Sequence, residues 1–420
     1  MNIDLIILAG GFSKRMGVLK PLLPVGNLSA ALRCIRMGKE AGVREIIVVT
    51  GFMHSEVERA ITESIINEEN NALFEAEVGS KVSETEVRFA YNKDYAEGMF
   101  SSVVTGVNAL RDGATGFFLL PVDCCAVSSD TLRKLASVFA DNAKCEKSTK
   151  NAESEKCATC VKNPDNPDDS DNAENCLDAV IRPRYKERRG HPPLIPTKYA
   201  DTLTAYSGEE GLKAVLRTLP TIEVEMDSEE TLLDMDTPQD YAQLLMFLGF
   251  PTYPTAEQCA QLLAEYGATQ QIIEHGEEVA ELACRLASFI NDKRAGIDIS
   301  LLRSACLLHD ICRAEREHER VGMELMLKCG YPKIAVLIGE HMELRAHVEH
   351  VRERELLYLA DKLCRNGRIV AIDETIKELT ERFASNPEAR ENAIKRMQTA
   401  AVILDMIKAQ YGDPNGFMLP

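Results

Sequence analysis

An apolar run that breaks into glycine dominates the start of the chain: Ile6-Ile7-Leu8-Ala9-Gly10-Gly11-Phe12-Ser13-Lys14-Arg15-Met16-Gly17, then Lys20-Pro21-Leu22-Leu23-Pro24. The run reads as a buried strand that ends in a loop. Glycines let backbone approach a ligand closely, and successive N–H groups can then surround an anion. Arg15 and Lys20 add cationic donors at the same place. The combination can hold a triphosphate. It is not a Walker A loop, because the Gly-Lys-Ser/Thr ending is absent, and it lacks the spacing of a dinucleotide-binding loop.

Residues 1 to about 140 continue as short apolar runs separated by helical patterns. Asp4–Ala9, Glu45–Thr50, Val87–Tyr91 and Gly116–Pro121 read as buried strands, and Ala30–Ala41 as a helix. This alternation predicts a mostly parallel sheet with helices on both faces. Ligands of such sheets bind at the carboxyl ends of strands. The Gly10-Gly11 loop and Asp123 both follow strands, so they can meet at one edge. Residues 141–178 break the pattern. They are rich in Asp, Asn, Glu, Lys and Ser, cannot bury a core, and read as a disordered insertion. Cys157 and Cys160 have metal-knuckle spacing there, with Cys145 and Cys176 outside them, but no second close pair completes the motif. The sheet pattern resumes at Asp178–Arg182 and Ile222–Met226, followed by a helix near Pro238. Phe250-Pro-Thr-Tyr-Pro-Thr255 marks a boundary.

Composition limits the classes of function. The chain has 420 residues, enough for two domains, and a net charge of −18. That charge disfavours nucleic acid and anionic membranes as partners. No apolar run reaches the ~20 residues of a bilayer span, and the first residues lack a signal-peptide layout. A cytoplasmic location is expected, with the 13 cysteines mostly reduced core residues.

The opening segment resembles that of the MobA-like nucleotidyltransferases, in particular the molybdenum cofactor cytidylyltransferases. The resemblance implies a Rossmann-like α/β nucleotidyltransferase domain over residues 1–248. Leu8, Ala9, Gly10, Gly11, Ser13, Arg15 and Lys20 would bind the nucleotide. In Leu119-Leu120-Pro121-Val122-Asp123, Val122 stands where the family carries glycine, and Cys124-Cys125 follows. Asp123 after a buried strand can hold Mg²⁺ against phosphates. Leu233-Asp234-Met235-Asp236-Thr237-Pro238-Gln239-Asp240 resembles the family's Asp-x-Asp-Thr-Pro-x-Asp run. Asp236 would be the second Mg²⁺ ligand, with Asp234 the alternative, and Asp240 would support the helix start. Asn92, Gly98, Ser101 or Ser102, and Gly106 resemble a further family segment. Arg189-Gly190-His191-Pro192 resembles the family's Arg-Gly-His-Pro, which with Ser101 would line the acceptor. A histidine between glycine and proline can also simply shape a turn. Gly10 is the guanylyl type, whereas the acceptor motif is the cytidylyl type. The implied reaction moves NMP from an NTP, CTP favoured over GTP, to the phosphate of molybdopterin, with Arg15, Lys20, Asp123 and Asp236 as the catalytic set. A molybdenum hydroxylase would be a client.

From about Ala256 the pattern is helical. Val279, Leu282, Ala283, Leu286 and Ile290 form one apolar stripe. His309-Asp310 ends the apolar run 301–308, and such a pair is costly in a buried place unless it binds something. His275 and Asp361 lie in comparable surroundings. Imidazole and carboxylate together suit Fe, Mn, Zn or Mg. The ordered set resembles the HD-domain phosphohydrolases, which implies an all-α HD domain over 271–412 after a linker at 249–270. His318 and His341 match positions where two-metal members add ligands. Two rivals stay open: a sugar-phosphate nucleotidyltransferase, and a pterin-carrying chaperone whose HD half senses a nucleotide.

Overall fold

The computed structural model describes residues 2–75, 85–149, 178–208, 210–293, 295–344, 348–365 and 367–414. The chain forms two compact units, Met1–Leu248 and Gly249–Pro420.

The strands of the first unit are β1 (Ile3–Leu8), β2 (Pro24–Val25), β3 (Leu28–Ser29), β4 (Glu45–Thr50), β5 (Glu86–Tyr91), β6 (Gly116–Pro121), β7 (Val180–Tyr185), β8 (Arg188–Arg189), β9 (Leu194–Pro196) and β10 (Thr221–Glu225). Its helices are α1 (Ala30–Ala41), α2 (His54–Glu75), α3 (Met99–Asn108), α4 (Ser129–Thr149), α5 (Ala200–Ala205), α6 (Gly211–Thr218) and α7 (Pro238–Phe247). The main sheet runs β10-β7-β9-β6-β1-β4-β5, with β8 paired to β7. β6, β1, β4 and β5 are parallel neighbours, as are β10 and β7. The alternating pattern of the sequence therefore gives the expected parallel sheet with flanking helices.

β1 is buried along its whole length. Burial of Asp4 in it is compensated by Arg44, whose Nε and Nη2 donate to the two carboxylate oxygens at 2.7 and 2.6 Å. One face of the sheet packs Ile6, Leu8, Ile47, Val49, Phe117 and Leu119 against Val103 and Val107 of α3. β1 and β6 pair in register from Ile3 opposite Gly116 to Leu8 opposite Pro121. They end together, which sets the Ala9–Gly11 turn beside Val122 and Asp123.

β9 was not visible as a strand in the sequence. It is antiparallel to both neighbours, wedged between β6 and β7. The Pro193 carbonyl, just before it, accepts from Leu119 N–H at 3.1 Å. This insertion carries Arg189-Gly190-His191 to the side of β6 that ends in Asp123. α4 also departs from expectation. It continues to Thr149, through the first residues of the segment read as a disordered insertion. Cys157, Cys160 and Cys176 lie outside the described residues, as does the side chain of Cys145.

The second unit contains α8 (Ala256–Glu265), α9 (Gln270–Asn291), α10 (Ile299–Leu308), α11 (His318–Lys328), α12 (Pro332–Ile338), α13 (Glu353–Leu363), the short hairpin β11 (Cys364–Arg365) with β12 (Arg368–Ile369), α14 (Ile372–Arg382) and α15 (Pro387–Tyr411). Residues 256–265, within the stretch read as linker and as the start of the helical pattern, form α8, which buries Cys259, Leu262 and Leu263. Thr255 and Gln258 close its N-terminus with a capping box. The predicted stripe Val279, Leu282, Ala283, Leu286 and Ile290 is buried along α9, which packs on α10 and α13.

Close packing fixes one residue type in α3. A Cβ on Gly106 would lie 2.5 Å from Ile6 Cγ2 and 3.0 Å from Val49 Cγ2. Gly106→Ala should destabilise the first unit by about 1–3 kcal/mol, read as a lower urea midpoint at unchanged slope.

Candidate active sites

In the first unit, three distant stretches close on one ammonium group. Lys20 follows the loop after β1, Asp123 follows β6, and Asp236 precedes α7. Lys20 Nζ lies 2.8 Å from Asp123 Oδ2 and 2.6 Å from Asp236 Oδ1. Arg15 Nη1 reaches Asp236 Oδ2 at 3.0 Å. Burial works against the Lys20 charge, but the charges and hydrogen bonds of Asp123 and Asp236 outweigh it and raise its pKa. The hydrogen bond from Lys20 holds the Asp236 carboxyl below its ordinary range against some burial, with help from Arg15.

The loop itself is shaped by Ser13, at a φ of 51°. Its carbonyl accepts from Met16 and Gly17 N–H at 3.0 Å each, and its Oγ accepts from Lys20 N–H at 3.2 Å. Leu8, Ala9 and Gly10 are buried, while Gly11 is exposed. A Cβ on Gly10 would sit 3.2 Å from Ser102 Oγ and 3.3 Å from Gly51 N. Close packing is thus a reason for glycine at position 10 that is independent of the donor base. Asn92 is buried and donates to Ser101 Oγ and Ser102 Oγ at 2.8 and 2.9 Å. Ser101 Oγ is committed to the Asp94 and Gly98 carbonyls, so Ser102, not Ser101, lies against the Gly10 loop.

Asp234 does not reach the ammonium within hydrogen-bonding distance. Its Oδ1 accepts from Asp236 N–H at 3.1 Å, and burial, with Asp236 and Asp123 adding, raises its pKa. Asp240 forms a capping box with Thr237 at the start of α7. Cys124 and Cys125 are buried, and Cys124 N–H closes a turn on the Pro121 carbonyl at 3.0 Å.

A second wall comes from β7 to β9. His191 N–H donates to the Thr231 carbonyl at 2.8 Å, while its Nδ1 is buried without a partner. Burial lowers its pKa, with Arg182 adding and the charge of Asp123 opposing. Arg189 Nε donates to Glu223 Oε1. Arg182 was not among the residues nominated from the sequence. Its Nε is also buried and unpartnered, and burial together with the Arg189 charge lowers its pKa. The signal was present: an arginine inside an apolar strand is costly unless something pairs with it.

In the second unit, α9 supplies His275, the end of α10 His309-Asp310, the start of α11 His318, the turn after α12 His341, and α13 Asp361. His275 Nε2 and His309 Nε2 lie 3.2 and 3.5 Å from Asp361 Oδ1. His318 Nε2 and His341 Nε2 lie 3.3 and 3.5 Å from Asp310 Oδ1. The donor atoms form two groups, His275-His309-Asp310 and Asp310-His318-His341, with Asp310 shared. His309 Nδ1 faces the Cys306 carbonyl at 2.7 Å and His341 Nδ1 faces the Ile338 carbonyl at 2.6 Å. Those contacts turn each Nε2 toward the carboxylates. His309 Nε2 is buried with no hydrogen-bond partner. Burial opposes ionisation of Asp361, yet Lys362, His275 and His309 hold its pKa well below the carboxylate range. An orphaned buried imidazole nitrogen among ionised carboxylates fits a divalent transition metal. The oxygen pair Asp123 and Asp236, which already holds one cationic group, fits Mg²⁺.

Residues 5–224 match the MobA-like NTP transferase domain family, and residues 272–366 match the HD domain family. The first match covers more than half of the chain, and the protein belongs to the MobA-like NTP transferases. It is a nucleotidyltransferase fused to an HD domain. The molybdenum cofactor cytidylyltransferase of Escherichia coli is 24% identical over 239 residues, covering 57% of this chain and 93% of that protein. An uncharacterized protein of Methanocaldococcus jannaschii is 29% identical over 136 residues, 28% of this chain and 80% of its own. Among solved structures, a nucleotidyl transferase from Methanothermobacter is 19% identical with a TM-score of 0.40, covering 59% of this chain and 98% of its own. Among the described residues no helix is long and apolar enough to cross a membrane.

The depressed Asp236 pKa has a direct consequence. A carboxylate with a lowered folded-state pKa contributes stability above its unfolded value, here 3.8, and loses it as pH falls through the folded value. In chelated buffer, Lys20→Met should therefore be less stable than wild type at neutral pH. The gap between the two unfolding free energies should narrow as pH falls below 3.8.

Proposed function

We propose that the first unit transfers a nucleoside monophosphate from a nucleoside triphosphate to the phosphate of a molybdopterin-type cofactor, with release of pyrophosphate. CTP is the favoured donor and GTP the alternative. The observation that carries the chemistry is the convergence of Arg15, Lys20, Asp123 and Asp236 at the carboxyl edge of the sheet. Support for the acceptor comes from the Escherichia coli relative, a molybdenum cofactor cytidylyltransferase matched over nearly its whole length, and from the Arg189-Gly190-His191 wall.

The residues divide the work. Backbone from Leu8 to Ser13 cradles the triphosphate, and Lys20 and Arg15 neutralise its charge as the leaving group separates. The wall of Arg189, His191 and Arg182 orients the anionic acceptor beside Asp123. Asp123 and Asp236 hold Mg²⁺, which aligns and neutralises the phosphates when bound. No protein nucleophile is required, because an acceptor phosphate oxygen attacks the α-phosphorus in line.

The second unit is a metal-dependent phosphohydrolase in this reading. His275, His309, Asp310 and Asp361 hold one divalent transition metal, Fe, Mn or Zn. His318 and His341 complete a second site through the shared Asp310. The metals supply Lewis acidity that activates water. The protein's part is to fix the donor atoms and to surround the phosphate with Lys362 and Arg313.

Two measurements test these roles. Pyrophosphate release with Mg²⁺ and molybdenum-loaded molybdopterin should occur with CTP, and Asp123→Ala should lower it by about 100-fold or more. Release that survives in Asp123→Ala overturns the assignment of Asp123. For the second unit, Asp310→Ala should remove the bound transition metal, read by elemental analysis, together with phosphomonoester hydrolysis. Hydrolysis that persists after chelation overturns the metal role.

A further inference from the structure

A cavity of about 980 Å³ opens onto His275, Asp310 and Asp361 in the second unit. It is much larger than a single phosphate needs, and its size falls in the upper range for small-molecule sites. Its far wall is built by α14 and α15, which lie outside the residues matching the HD domain family. Five of its lining residues are cationic, in a chain whose net charge is −18.

Three of those five cations are already engaged by carboxylates. Arg313 pairs with Asp310 at 3.4 Å, Lys362 pairs with Asp361, and Arg365 pairs with Glu378 at 3.0 Å. The remaining two are different. Arg382 ends α14 and lies over the Phe383 ring, with 5.5 Å to the centroid. Arg396 lies on α15. Neither forms an ion pair with a carboxylate among the described residues. Arg382, exposed, and Arg396, half-buried, are cations without a described carboxylate partner on the packed helices α14 and α15, and they line the same cavity as the metal ligands, where guanidinium N–H groups can donate to phosphate oxygens. Ile272, Leu379, Phe383 and Met397 line the same cavity and give it an apolar side.

We propose that Arg382 and Arg396 recognise a second phosphate group on the substrate of the second unit, in addition to the phosphate presented to the metals. The substrate class is a ring-bearing bisphosphate. Its scissile phosphate lies at His275, Asp310 and Asp361, its ring contacts the apolar side near Phe383, and its other phosphate lies on the two guanidinium groups. This rests on the phosphohydrolase reading of the second unit and names the substrate class of that site. Arg382 and Arg396 act as specificity determinants. The bond broken is the phosphoester at the metals; water supplies the oxygen that ends on phosphorus and the proton that ends on the leaving alcohol.

The test compares full-length manganese-loaded protein with the double variant Arg382→Ala/Arg396→Ala, using adenosine 3′,5′-bisphosphate and AMP. Wild type should hydrolyse the bisphosphate with a KM at least 10-fold below that for AMP. The double variant should lose that preference through KM, with kcat on AMP unchanged, and the pair Arg382→Lys/Arg396→Lys should recover part of it. Equal KM values in wild type, or an equal loss on both substrates, overturn the proposal. Equilibrium dialysis of the bisphosphate against both proteins, with and without manganese, separates the two readings. Weaker retention by the double variant in the absence of hydrolysis supports the phosphate site and counts against the phosphohydrolase. Equal retention overturns the site.

Discussion

Like charges cannot be gathered at the edge of a sheet without a counter-charge, and Lys20 supplies it. Its side chain is only 13% exposed, and two carboxylates from distant parts of the sequence converge on it. Remove that ammonium and Asp123 and Asp236 face each other with Asp234 nearby, a costly arrangement in a partly buried place. The shape of the surrounding loop follows from the same need. Ser13 adopts a positive φ and turns both its carbonyl and hydroxyl inward, which delivers the Lys20 backbone to the carboxylate edge. β1 and β6 end in register, so the lysine loop and Asp123 meet without a long reach.

The second unit solves a related problem with another chemistry. Asp310 lies among three imidazoles and Arg313, and Asp361 lies between two imidazoles and Lys362. Burial pushes the pKa of both carboxylates up, but the surrounding imidazoles, Arg313 and Lys362 hold them below the ordinary carboxylate range. The histidines are held from behind by backbone carbonyls at the ends of α10 and α12. His309, Asp310, His318 and His341 thus sit at helix ends, while His275 and Asp361 project from within α9 and α13.

Much of this was legible in the sequence, for identifiable reasons. The strands β1, β4 and β6 are continuous apolar runs, and the stripe of α9 has an unambiguous period. The ordered histidines and aspartates of the second unit stand out because polar residues interrupt apolar helices. Other features left little trace. β9 is three residues long and antiparallel, too short to show a period. Ser102 rather than Ser101 faces the Gly10 loop because Asn92 and two carbonyls orient the pair, a tertiary effect that residue order alone does not carry. Arg182 was overlooked because its neighbours read simply as strand. The last residues of α4 lie in a polar stretch whose composition argued against any ordered element. α8 begins where the helical pattern was read to begin, at Ala256, and Thr255 and Gln258 supply its start signal.

The antiparallel β9 has a wider consequence. It separates the segments that face the nucleotide loop from those that carry Arg182, Arg189 and His191, since β6 stands on one side and β7 on the other. The two walls of the cleft hang from different strands of one hydrogen-bonded sheet, in which β9 joins β6 to β7. Substitutions on the β7–β9 side then alter one wall without touching the residues of the Gly10–Lys20 loop. Such a scaffold can vary what receives the nucleotide independently of what donates it, two choices inherited on separate pieces of chain.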